Sequence, residues 1–185
     1  TPTSFAAFFS INGTFNNSNM NYPNFSNRTI TTFIGIKDSL VNPKFPLSVA
    51  MKSNEFGTDW RINTFDGEHF YYPYEKEILP QMLHQMKNIT RNPFPNQILY
   101  HKNYDFEELT GIDWLHIKTN IQKNPEKWHH TSKANIHRNR SEVDSIDYGG
   151  NSAQVVAKYF NNIFDLKASL VDEVDVYISP LMVDL

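Results

Sequence analysis

Asn42-Pro-Lys-Phe-Pro-Leu-Ser-Val-Ala-Met-Lys52, then Trp60-Arg-Ile-Asn-Thr-Phe-Asp-Gly-Glu-His-Phe70, then an apolar-striped segment from Glu75 to Thr90: this stretch decides the fold. Leu47, Val49 and Met51 alternate with Ser48, Ala50 and Lys52, the two-residue period of a half-buried strand. Asn54 to Asp59 supplies a turn, with Gly57 free to take a positive φ. Trp60, Ile62 and Thr64 alternate again and predict a second strand beside the first. From Glu75 onward, Ile78, Leu79, Met82, Leu83, Met86 and Ile89 recur at three- and four-residue steps, which predicts a helix. Pro80 either kinks that helix or sits in its first turn, where its missing N–H is harmless.

Outward from this unit, Ser4–Ile11 and Thr29–Ile36 are apolar or β-branched runs and read as strands. The Asn-, Ser- and Pro-rich residues Asn12–Arg28 between them read as a loop. Asn92-Pro93-Phe94-Pro95 closes the helix. Trp114, Ile117 and Ile121 predict a short helix, and Glu126–Asp144 reads as a surface loop. Val155, Val156, Tyr159, Phe160 and Ile163 predict an amphipathic helix capped by Asn151 or Ser152. Val174, Val176 and Ile178 predict a final strand that Pro180 ends. Alternating strands and helices indicate an α/β class: a mixed sheet with packed helices in a sandwich, followed by a smaller α/β tail. The expected boundary lies at Lys102/Asn103, where the sequence turns acidic.

The chain has 185 residues, 39% of them apolar, enough for a core. Its net charge of −3 and isoelectric point near 6.1 give no general pull toward nucleic acid or an anionic membrane. No apolar run reaches the roughly 18 residues of a membrane span. There is no cysteine, hence no disulfide and no thiolate chemistry. A cytoplasmic location is expected. The first residue is not Met and no signal-peptide pattern follows, so the chain is expected to be a piece of something longer. Asn12, Asn16, Asn24, Asn27, Asn88 and Asn139 each open an Asn-x-Ser/Thr sequon, and a secreted or surface glycoprotein is the alternative reading.

Candidate chemistry is sparse. His129, His130 and His137 invite a metal reading, but without a regular scaffold or a fourth ligand no metal site is expected. The adjacent pair His129-His130 lacks the aspartate and glycine of the acyltransferase motif His-His-x-x-x-Asp-Gly. Asp66, Glu68 and His69 cluster after the second strand, either as an acid–base set or as an exposed turn. Gly149-Gly150-Asn151-Ser152 before a predicted helix offers a turn and cap, or a weak phosphate-holding loop. No Ser-His-Asp arrangement can be argued from spacing, and no catalytic residue is assigned.

In the order of its segments, Phe8–Asn12, Phe45-Pro46-Leu47-Ser48-Val49, Ile62–Phe70, Ile78–Ile89 and Asn92-Pro93-Phe94-Pro95, the chain resembles the end of a condensation domain of nonribosomal peptide synthetases. Leu115-His116, Asn124-Pro125-Glu126-Lys127, Ile146-Asp147-Tyr148, Val155–Phe160 and Asp172–Val176 resemble the start of an adenylation domain, as in aminoadipate reductases. The resemblance implies residues 1–102 as the end of a condensation-type domain, an acyltransferase-like sandwich fragment, and 103–185 as the beginning of an adenylation or carrier domain. It implies a segment without catalytic groups of its own, in a parent enzyme that makes adenylates and thioesters with ATP, Mg and phosphopantetheine. Its partners would be neighbouring domains of the same polypeptide, with no nucleic acid and no membrane. Under the carrier alternative, Ser152 would bear the phosphopantetheine.

Overall fold

The computed structural model describes residues 5–13, 22–102, 110–119, 124–137, 143–148, 150 and 152–183. It is mixed α/β, as expected, with parallel and antiparallel sheets.

The first sheet is parallel, in the order β1 (Ala7–Ile11), β2 (Thr29–Gly35), β3 (Asp59–Phe65). β2 is central and buried along nearly its whole length, as a parallel strand covered on both faces must be. Helix α1 (Lys44–Asn54) joins β2 to β3, and α2 (Glu75–Lys87) follows β3. Alternate residues of β2 face opposite sides. Ile30 packs with Val49, Ala50 and Trp60 on the α1 side. Phe33 packs with Phe65 and Ile78 on the α2 side. The sheet is therefore sandwiched between two helices.

Residues Leu47–Lys52, expected as a strand, are helical. The buried positions are Pro46, Val49, Ala50 and Ser53, the three- and four-residue steps of a helix, while Leu47 and Met51 face solvent. Pro46 falls in the first turn, where no intrahelical N–H is needed. The two-residue alternation was coincidental with this stripe. Pro80, by contrast, lies inside α2. It removes the N–H that would bond the Lys76 carbonyl, and both residues are exposed, so water can serve that carbonyl.

Beyond α2 the described chain is built of strands: β4 (Gln97–Lys102), β5 (Gly111–Ile112), β6 (Leu115–Thr119), β7 (Ser132–His137), β8 (Val143–Tyr148), β9 (Ala153–Phe160), β10 (Ile163–Ser169) and β11 (Val171–Val176). Two three-stranded antiparallel sheets, β10-β9-β4 and β11-β6-β5, share a core of Ile98, Tyr100, Trp114, Leu115, Ile117, Val155 and Ala157. β4 thus belongs to a sheet whose other strands come after residue 102. The expected helix over 155–163 is instead β9, a turn and the first residue of β10, and the β-branched residues of β9 pair with both β4 and β10. Asn161 and Asn162, both at positive φ, make the tight hairpin turn. The expected helix over 114–121 is the β5–β6 hairpin, turned by Asp113 at φ 51°; Ile121 lies outside the described residues. The expected loop 126–144 contains β7 and the start of β8, which pair with each other. The strands expected at 4–11 and 29–36 are present as β1 and β2, and the one expected over 174–178 is β11, which starts earlier, at Val171, and ends at Val176, short of Ile178 and Pro180. No described helix is long and apolar enough to cross a membrane.

His101, at the end of β4, is 7% exposed, with its ring against Phe56. Burial pushes its pKa down to about 3, and the nearby charges of His130 and His129 add to the shift. The unfolded chain binds a proton there near pH 6.5 and the folded one does not, so stability is full above 6.5 and falls as the pH drops toward 3. The slope contributed by this group approaches about 1.4 kcal/mol per pH unit. Urea titrations between pH 7 and 4 should show His101→Leu with a flatter acid slope than the parent.

Candidate functional site

The carboxyl ends of parallel strands are where open α/β sheets hold their ligands, because loops diverge there. At that end, β2 finishes at Gly35 and a tight turn carries Asp38; β3 finishes at Phe65 and its following loop carries His69. The Asp38 backbone N–H donates to the Gly35 carbonyl at 3.1 Å, closing the turn. Its side chain is fully buried. Oδ1 accepts the backbone N–H groups of Leu40 and Val41, both at 2.8 Å. Oδ2 faces His69 Nδ1 at 2.9 Å. A carboxylate can only accept in this contact, so Nδ1 carries the proton, and in the neutral ring Nε2 is the nitrogen with the lone pair. The His69 side chain keeps a third of its surface open to solvent. Its ring stands edge-on to Phe70.

The His69 loop is pinned to the Asp38 turn. Ile36 N–H donates to the Phe65 carbonyl at 3.0 Å and Lys37 N–H to the Gly67 carbonyl at 2.9 Å. Lys37 also pairs with Asp66 at 2.7 Å on the surface, which raises the lysine pKa through that hydrogen bond and the carboxylate charge. Gly35 is required for this approach: a Cβ there would stand 2.4 Å from the Gly67 carbonyl oxygen and 2.6 Å from that of Glu68.

Of the cluster Asp66, Glu68 and His69 noted in the sequence, only His69 enters the pair. Its carboxylate partner is Asp38, 31 residues earlier, while Asp66 serves Lys37 and Glu68 is exposed. Nothing in the local sequence around Asp38 singles it out. The signal was an aspartate just past the end of one predicted strand and a histidine just past the end of another, legible once the strands are known to be parallel neighbours.

The other candidates are differently employed. His129 Nδ1 meets Ser169 Oγ at 2.8 Å, and its other ring nitrogen meets the Gln154 amide at 3.1 Å. His130 exchanges backbone bonds with the Gln154 side chain, and the His137 side chain lies outside the described residues. Among the described residues no three His, Cys, Asp or Glu side chains gather as metal ligands would. Ser152 is 5% exposed and precedes a strand, not a helix; Gly149 and Asn151 lie outside the described residues. Asn12 and Asn24 are buried with their amides hydrogen-bonded to backbone, so neither presents its nitrogen for a glycan. Asn16 and Asn139 lie outside the described residues. A surface depression lined by Arg61, His84 and Gln85 lies near the opposite ends of β2 and β3 and holds no comparable pair.

Two segments quoted for the synthetase resemblance fold otherwise than it implies, since Phe45–Val49 is in a helix and Val155–Phe160 in a strand. Compared with known protein families, with curated proteins and with solved structures, the chain matches none.

Proposed function

We propose that the protein carries the acid–base half of a serine-hydrolase-type site: Asp38 orients His69, and His69 Nε2 takes the proton of a serine hydroxyl that attacks an acyl ester. The observation that carries this reading is the 2.9 Å contact between His69 Nδ1 and the buried Asp38 Oδ2 at the ends of adjacent parallel strands. The carboxylate holds the ring in the tautomer that a general base needs and stabilises the imidazolium that forms. The serine Oγ bonds to the carbonyl carbon as its proton moves to Nε2. The same proton then passes to the departing alcohol, and water hydrolyses the acyl-serine by the reverse relay.

Chain order supports this assignment. On α/β-hydrolase sheets the members follow as Ser, then Asp or Glu, then His, with the serine at a strand-to-helix turn. Asp38 and His69 are in that order. The nucleophile would precede Asp38, on a strand alongside β1, whose outer edge carries no partner among the described residues. Ser10, on β1 itself, hydrogen-bonds Thr32 at 2.9 Å, and Ser26 is buried. A fluorophosphonate tests the reading, applied to the polypeptide that carries residues 1–185 with whatever precedes them. It should form an adduct on a serine upstream of Asp38, at a rate that depends on His69.

The synthetase reading is a separate proposal, and its carrier alternative has a separate readout, a phosphopantetheine mass on Ser152. With Ser152 buried, that modification would require the entry to β9 to open.

A further inference from the structure

Asn12 is the residue immediately after β1, 4% exposed and at φ 50°, a conformation asparagine tolerates better than most side chains. Its backbone N–H donates to the Phe33 carbonyl at 2.8 Å. The side-chain Oδ1 accepts the Gly35 N–H at 2.7 Å. Nδ2 donates to the carbonyls of His69 at 2.5 Å and Glu68 at 3.1 Å. The three hydrogen-bonding directions used here, one acceptor and two N–H donors, fit the capacity of one amide. One of them grips the residue whose carbonyl closes the Asp38 turn, and another grips the backbone of His69 itself.

We propose that Asn12 is a positioning residue that sets the contact between Asp38 and His69. This rests on the reading of that pair as an acid–base relay. The amide ties the ends of all three parallel strands to one point, on the main chain of the base and three residues before the acid. Only an amide can do so, because the Gly35 N–H needs an acceptor and the two carbonyls need donors.

The test is proton NMR of the His69 ring in the full 185-residue chain. The hydrogen-bonded Nδ1–H resonance is assigned by its disappearance in Asp38→Asn and His69→Ala. Asn12→Asp keeps the acceptor for Gly35 and the tolerance of positive φ but sets an oxygen against two carbonyls. Asn12→Gly keeps the backbone conformation and removes the whole strap. Asn27→Asp is the control. Asn27 also sits at positive φ and donates its amide to a distant carbonyl, Gln97 at 2.7 Å, away from the pair. Loss of the Nδ1–H resonance in the Asn12 variants, with its retention in Asn27→Asp at a comparable fall in melting temperature, is the expected result. Retention of the resonance in either folded Asn12 variant, or its equal loss in the control, overturns the proposal. The readout is the pair itself, so a failure of serine labelling would contradict the hydrolase reading without altering this result.

Discussion

Asp38→Asn should lower kcat for hydrolysis of a p-nitrophenyl acyl ester by about 10⁴-fold, a rise of about 5.5 kcal/mol in the barrier, while leaving the fold intact. The asparagine Oδ1 can still accept from Leu40 and Val41, whose N–H groups hold the turn. Its Nδ2 would then replace Oδ2 opposite His69 Nδ1 and donate where the carboxylate accepted. The ring answers by moving its proton to Nε2, which is the atom that must be free to take the serine proton. KM should change far less than kcat, since Asp38 is buried and lies behind the ring. The assay needs the polypeptide that supplies the nucleophile, and a matched urea curve shows that the loss is not unfolding. A loss in kcat under tenfold would mean that Asp38 merely closes its turn.

Asp113→Asn should produce the largest loss of stability, about 3–5 kcal/mol. Asp113 Oδ1 accepts from Arg28 Nη2 at 2.5 Å and Arg91 Nη2 at 3.0 Å, and the side chains of Arg28 and Asp113 are each only 1% exposed. Arg28 leads into β2, Arg91 follows α2, and Asp113 turns the β5–β6 hairpin, so the cluster bolts the parallel sheet to the antiparallel half. The substitution takes away the carboxylate charge that the two guanidinium groups share, one of them buried. Asparagine is the informative replacement because it keeps the positive φ of residue 113. The drop is read as a lower urea midpoint. The exposed Lys37–Asp66 pair, lying in solvent, should show nothing comparable when broken.

The α/β class and several strands were legible because β2 and β3 combine β-branched residues with clear boundaries. The α1 segment was not. The alternation of Leu47, Val49 and Met51 argued for a strand, and only the burial of Val49, Ala50 and Ser53 against the sheet decides for a helix. β9 failed for the opposite reason: Val155, Val156, Tyr159 and Phe160 also fit a helical stripe, and long-range pairing with β4 overrides it. The site was half legible. His69 stood out as a titratable residue after a strand, but its partner is 31 residues away, and the nearby Asp66 and Glu68 drew attention instead. Asn12 was noticed as a sequon, although its amide is a strap between strands. Local sequence carries no sign of which distant carbonyls a side chain will meet.

The most direct measurement of the acid–base reading is the rate of fluorophosphonate adduct formation on the polypeptide that carries this chain and its nucleophile, compared with His69→Ala. The expected result is a single modified serine upstream of Asp38, with labelling slowed at least about 10³-fold in the variant. A folded parent protein that takes up no fluorophosphonate, or a His69→Ala variant that labels as fast as the parent, would contradict it.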